Sequence, residues 1–200
     1  MIKTIFFDLG NVIIPFDFKR AYSRLQPLCD YPATEIPARM RGTDLVSRFE
    51  SGQIAAEQFV KEFSAVLELR INYDEFCDLW TSVFLPEPLI QDSLLASLGN
   101  RYPLMILSNT NPIHFHMIRA NYPLLRHFDD CVLSYEVGAL KPHAEIYEKA
   151  IARAGCDAAE CFFTDDLLVN VEAAWKHGMD AVQFQSAAQL EEELRARRLL

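Results

Sequence analysis

A parallel α/β sheet interrupted early by a helical insertion is the architecture this sequence predicts. Short apolar runs without polar alternation recur along the chain, as expected of strands covered on both faces. Several of these runs end abruptly in a carboxylate or a hydroxyl. From about Leu104 onward they alternate with helical patterns, the rhythm of a parallel sheet with helices on both sides.

The first run, Thr4–Phe7, ends in Asp8, and Gly10-Asn11 reads as a turn. The segment 16–85 then breaks the rhythm. Phe59, Phe63, Val66 and Leu67 share one helical face, and Phe76, Leu79, Trp80, Val83 and Phe84 make a fuller stripe. An Asn72…Glu75 capping box opens that second stripe. Residues 16–85 are therefore expected to form an all-helical inserted unit, with 1–15 and 86–200 as the α/β core. Pro86-Glu87-Pro88 marks the return. Beyond it the expected strands are Leu104–Leu107, Cys131–Ser134, Cys161–Thr164 and Ala181–Phe184. Between them lie a helix beginning at Pro112, one closed by Gly155, one closed by Gly178 and a last one capped by Ser186.

The 200 residues suit one α/β domain with an insertion and are few for two ordinary domains. Half of them are hydrophobic and 24% are charged, which argues against disorder. A net charge of −9 makes nucleic acid and anionic membrane poor partners. No apolar run approaches the ~18 residues of a membrane span, and Asp8 interrupts the N-terminal run too early for a signal peptide. Five scattered cysteines without a CxxC pair are expected to be reduced and buried, so the expected compartment is the cytoplasm.

In an open parallel sheet, ligands bind beyond the carboxyl ends of the strands. Those ends, and the loops that follow, carry Asp8, Ser108-Asn109, Lys141 and Asp165-Asp166. Carboxylates gathered at one rim repel unless a cation sits among them. An all-oxygen donor set that must also accept an anion suits Mg²⁺. A carboxylate, Mg²⁺, a lysine and turns rich in N–H groups are what phosphoryl transfer to an aspartate requires.

These residues resemble a known family. Phe6-Phe7-Asp8-Leu9-Gly10-Asn11-Val12-Ile13 resembles the first motif of the haloacid dehalogenase (HAD) superfamily, and Leu107-Ser108-Asn109-Thr110-Asn111 its second. Lys141-Pro142 resembles the third, and Asp165-Asp166 with Asn170 the fourth. Phe49-Glu50-Ser51-Gly52-Gln53-Ile54 is similar to a segment of the family's helical cap. The resemblance is nearest to bacterial sugar phosphatases of the glucose-1-phosphatase type. It implies a Rossmann-like core with a helical cap that closes over the site.

The resemblance also implies roles. Asp8 would attack phosphorus. Asp8, the Gly10 carbonyl, Asp166 and, in the same shell or the next, Asp165 would hold Mg²⁺. Ser108, Asn109 and the N–H groups of Leu9 and Gly10 would bind phosphate, and Lys141 would neutralise charge on nucleophile and phosphate. The implied partner is a small phosphorylated metabolite, of the sugar phosphate class that the resemblance suggests.

Gly10 departs from the pattern, because most phosphatases of the superfamily carry a second aspartate there as general acid and base. His114 is one candidate substitute. A dehalogenase and a catalytically weakened phosphate-binding protein are the rival functions. The first needs no metal, so Asp165-Asp166 weighs against it.

Overall fold

The computed structural model describes residues 1–32 and 34–200. The chain opens with β1 (Thr4–Phe7) and continues through five helices: α1 (Phe18–Leu25), α2 (Ile36–Arg41), α3 (Leu45–Glu50), α4 (Ala56–Leu67) and α5 (Tyr73–Thr81). It then follows α6 (Asp92–Gly99), β2 (Leu104–Ser108), α7 (Pro112–Asn121), β3 (Asp130–Leu133), α8 (Ser134–Val137) and α9 (Ala144–Ala154). The last elements are β4 (Cys161–Asp165), α10 (Leu168–Lys176), β5 (Asp180–Gln183) and α11 (Ala187–Ala196).

All five strands are parallel, in the order β3-β2-β1-β4-β5. β1 is central, and the sheet extends from it in both directions, so the carboxyl end of β1 faces a topological switch point. Side chains of β1 alternate between two cores. Ile5 and Phe7 join α6, α7 and α11 through Leu95, Ile118 and Leu190, whereas Phe6 joins α9 and α10 through Ile146, Tyr147 and Val171. Burial on both faces is why these strands lack polar alternation.

Two of the expected strands are displaced by one residue. β3 begins at Asp130, which pairs with Met105, and Ser134 already belongs to α8. β5 runs from Asp180 to Gln183, although the Phe184 N–H still reaches the Asp165 carbonyl at 2.9 Å.

The helices between β1 and α6 pack around a third apolar cluster, built on Phe49, Phe59, Phe63, Phe76 and Trp80. Phe49 and Phe59 stack at 4.1 Å, and the Asn72–Glu75 capping box forms both of its hydrogen bonds, at 2.9 and 2.8 Å. The chain leaves and re-enters the sheet side by side. Asp17 N–H donates to the Val83 carbonyl, Leu85 N–H to Pro15 and Leu89 N–H to Ile13, at 2.8–2.9 Å.

Two contacts seat the helical unit on the core. Ile113 of α7 inserts into the helical cluster. Gly52, at φ +70°, lies against the backbone of Tyr135 in α8, and a β-carbon there would come within 2.2 Å of the Tyr135 carbonyl oxygen. Gly52→Ala must therefore part these two backbones and strain a left-handed residue. A loss of about 1–3 kcal/mol in unfolding free energy is expected, measurable by denaturant titration.

Candidate active site

Asp8 continues β1, its N–H donating to the Thr164 carbonyl of β4 at 2.9 Å, so its position is set by the sheet. The chain then turns tightly, Ile13 and Ile14 both donating to the Leu9 carbonyl. Lys141 arrives from the loop before α9 and is buried. Its ammonium lies 2.9 Å from Asp8 Oδ1 and 2.5 Å from Asp165 Oδ2, and donates to the Leu107 carbonyl at 2.9 Å. Asn109 fixes that loop from the end of β2. Its Oδ1 accepts the Lys141 N–H at 2.7 Å, and its Nδ2 donates to the Lys141 carbonyl at 2.9 Å. Asn109 is thus also a clamp for the lysine, a role its position in the sequence does not reveal.

Asp165 is fully buried and saturated with donors. Besides Lys141 it accepts from Asn170 Nδ2 at 3.0 and 3.1 Å and from the Leu167 N–H at 2.9 Å. Asp166 is half-buried at the rim, and its backbone carbonyl accepts from Gln183 Nε2 at 2.8 Å. Asp8, Asp165 and Asp166 each offer an oxygen, all within 4.8 Å of one another.

The electrostatics point the same way. Burial, with the Asp165 carboxylate in support, outweighs Lys141 and holds Asp8 above the ordinary carboxylate range. Asp166 is raised by burial and by Asp165. Lys141 is desolvated, yet its two carboxylates outweigh that penalty and raise it, so it remains an ammonium. One ammonium among three carboxylates leaves the site short of positive charge. A hard divalent cation on oxygen ligands fits that deficit.

Ser108 is buried at the end of β2, with only a 3.4 Å contact to the Asn109 carbonyl for its hydroxyl among the described residues. Thr110 and Ser134, neither singled out by the sequence, tie the β2 loop to α8. The Thr110 N–H donates to Ser134 Oγ, and that hydroxyl donates to the Thr110 carbonyl, both at 3.0 Å.

A cavity of about 530 Å³ runs from Leu9, Gly10, Ser108 and Asn109 into the helical unit. Its wall is largely apolar: Phe16, Phe18, Leu25, Met40, Val83 and Phe84 among others, with Arg41, Ser47 and Glu50 as polar points. The Phe76–Phe84 stripe therefore does two jobs. Phe76 and Leu79 are core, while Trp80, Val83 and Phe84 also face the cavity. Three arginines of the insertion differ in placement. Arg41 lines the cavity, Arg20 donates to the Ser82 carbonyl, and Arg39 lies over the Tyr31 ring.

A β-carbon at residue 10 would come within 2.8 Å of the Phe16 ring, so a side chain there requires that ring to move. His114 cannot replace a general acid. It is buried, Asn111 Nδ2 lies 3.1 Å from its Nδ1, and the Trp80 carbonyl lies 3.1 Å from its Nε2. Burial pushes its pKa down to about 4, so it is neutral near pH 7.

A model of haloacid dehalogenase-like hydrolases matches residues 2–178. The chain belongs to the haloacid dehalogenase-like hydrolase family. Among relatives of this HAD-like hydrolase, a D-ribitol-5-phosphate phosphatase of Bacteroides thetaiotaomicron is 26% identical over 200 residues, covering 97% of both chains. A sesquiterpene phosphatase of Aspergillus oryzae is 27% identical over 182 residues, covering 88% of this chain and 87% of its own. A solved HAD-family enzyme of B. thetaiotaomicron, in complex with magnesium and inorganic phosphate, superposes with a TM-score of 0.84 at 26% identity. That match covers 93% of this chain and 96% of the other.

Proposed function

We propose that this HAD-like hydrolase is a Mg²⁺-dependent phosphatase that cleaves a small phosphomonoester through an aspartyl-phosphate on Asp8. The observation that carries this reading is the buried Lys141 ammonium, 2.9 Å from Asp8 beside three clustered carboxylates. Relatives named as phosphatases of phosphorylated metabolites, and a structural neighbour holding magnesium and phosphate, support it.

Asp8 is the nucleophile. Its second oxygen, the Gly10 carbonyl and Asp166 would hold Mg²⁺, with Asp165 acting mainly through its grip on Lys141 and Asn170. Bound Mg²⁺ would neutralise phosphate charge and hold the phosphate against the nucleophile. Ser108, the Asn109 amide and the N–H groups of Leu9 and Gly10 receive phosphate oxygens, and Lys141 offsets the charge that develops on them. Residues 16–85 form the cap that receives the alcohol portion and excludes water. A sugar phosphate meets polar partners at Arg41, Ser47 and Glu50. The apolar wall of Phe18, Leu25 and Met40 favours a second reading, a phosphorylated isoprenoid or aryl alcohol. A panel of sugar, polyol, prenyl and aryl phosphates with Mg²⁺ separates the two by their ratios of kcat/KM. All five cysteines are free thiols, but only Cys161 is buried as expected and the other four are half-buried; a cytoplasmic location belongs to this proposal.

Two measurements test the metal dependence. EDTA abolishes turnover on this reading, and indifference to EDTA would return the dehalogenase alternative. Asp166→Ala, which removes a carboxylate from the trio, is expected to raise the Mg²⁺ concentration for half-maximal activity by roughly 10–100-fold. The same variant should lose most of the Tm increase that Mg²⁺ confers on the wild type. An unchanged metal titration would take Asp166 out of the ligand set.

A further inference from the structure

Gly10 leaves the reaction without a proton donor beside the nucleophile, and the Phe16 ring lies 2.8 Å from where a β-carbon there would stand. Among the described residues, Glu50 is the one carboxyl group lining the cavity shared by Gly10, Ser108 and Asn109. It is the last residue of α3, immediately before the Ser51-Gly52 turn that seats the cap against α8.

A chain of hydrogen bonds fixes its neighbour Asn111. The Trp80 carbonyl can only accept, so His114 Nε2 carries the proton and Nδ1 is left as an acceptor. Asn111 Nδ2 therefore donates to Nδ1, and Asn111 Oδ1 accepts the His114 N–H at 3.0 Å. The orientation of the Asn111 amide is thereby determined, and this amide is the polar neighbour that opposes the effect of burial on Glu50. Asn111 itself is fully buried at the N-cap of α7.

We propose that Glu50 protonates the departing alcohol oxygen and then accepts a proton from the attacking water, the work that Gly10 cannot do; this rests on the phosphatase reading above. In the first step an Asp8 oxygen bonds to phosphorus, the bond from phosphorus to the alcohol oxygen breaks, and the Glu50 proton passes to that oxygen. In the second, water gives a proton to the Glu50 carboxylate and its oxygen bonds to phosphorus. The bond from phosphorus to Asp8 then breaks, releasing phosphate and restoring both side chains.

Burial raises the Glu50 pKa to about 7, with Asn111 opposing. The other titratable groups lining the same cavity are Tyr22, Arg41 and His114, and on α3 itself Arg48 pairs with Glu62 at 3.2 Å. None of them is a partner of the Glu50 carboxyl. A carboxyl with a pKa near the working pH can give a proton in one half-reaction and take it back in the other.

The test compares Glu50→Gln with wild type on an alkyl phosphate, whose leaving oxygen needs a proton, and on a dinitrophenyl phosphate, whose leaving oxygen does not. The readout is kcat/KM with Mg²⁺, which reports the steps up to formation of the aspartyl-phosphate. Glu50→Gln should lose roughly 10²–10⁴-fold on the alkyl ester. The ratio of alkyl to aryl kcat/KM should fall by at least about 30-fold, and the descending limb of the alkyl pH profile near pH 7 should vanish. A ratio unchanged in Glu50→Gln, or a wild-type limb that persists in it, overturns the proton-donor role. The phosphatase reading is scored apart from this, by aryl phosphate turnover in the wild type and its loss in Asp8→Asn. A wild type inert towards both esters overturns both.

Discussion

Asp8→Asn is expected to reduce phosphomonoester turnover by roughly 10⁴-fold or more, because an amide cannot form the covalent intermediate that divides the reaction in two. The substitution is nearly isosteric, and the amide can still offer its oxygen to Lys141, whose ammonium lies 2.9 Å from Asp8 Oδ1 in the wild type. Its effect on folding has the opposite sign. Burial raises the Asp8 pKa above its unfolded value, so the native state binds the proton more tightly. Stability from that group is therefore lost as pH rises through the native pKa, and ionised Asp8 costs stability at pH 8 in the metal-free protein. Asp8→Asn removes the cost, so its metal-free Tm at pH 8 should equal or exceed that of the wild type. Acid-quenched wild type during turnover should carry a phosphoryl group on Asp8, detectable by mass spectrometry, and the variant none. Residual activity within about tenfold of wild type would refute covalent catalysis.

The rim of the sheet was legible because its chemistry stands at strand ends. An apolar run that stops at Asp8 or at Asp165-Asp166 announces both the strand and its exit, and four such exits converge when the strands are parallel. The one-residue displacement of β3 has a physical cause. Register with β2 pairs Asp130 with Met105, and a charged first residue escapes a reading based on apolar runs. The small helices of the cap were less legible. α2 and α3 have six residues each, too few to show a hydrophobic period, and α1 is rich in polar residues.

Glu50 was visible only as part of a cap-like segment. Its place in the site depends on a cavity closed by side chains from both units, which brings it to Ser108 and Asn109, more than 50 positions away in the chain. His114 misleads for the same reason. Near Ser108-Asn109 in sequence it looks available for proton transfer, but tertiary packing engages both ring nitrogens and stacks the ring on Trp80 at 5.1 Å.

Lys141→Met should inactivate the enzyme and also destabilise the fold more than Gly52→Ala, Asp8→Asn, Glu50→Gln or Asp166→Ala. The Lys141 side chain is fully buried and is the ion-pair partner of both Asp8 and Asp165. Methionine has similar length and leaves the backbone clamp of Asn109 on residue 141 in place, since that clamp uses only the N–H and carbonyl. What disappears is the ammonium, leaving two desolvated carboxylates facing each other. Removing one partner of a buried pair costs about 3–5 kcal/mol, whereas the pair itself contributes little net stability. The pH dependence separates this cause from lost packing. Without the ammonium, Asp8, already raised by burial, gains a proton more readily in the native state than in the unfolded chain, so the deficit shrinks at pH 5 and grows towards pH 8. Mg²⁺ should recover part of the Tm at pH 8 by supplying positive charge to the same carboxylates, without restoring wild-type turnover. Lys141→Arg should not rescue either property, because a planar guanidinium is larger than the fully buried ammonium it would replace. A Lys141→Met deficit equal at pH 5 and pH 8 would mean that packing, and not charge, gives this lysine its place at the centre of the site.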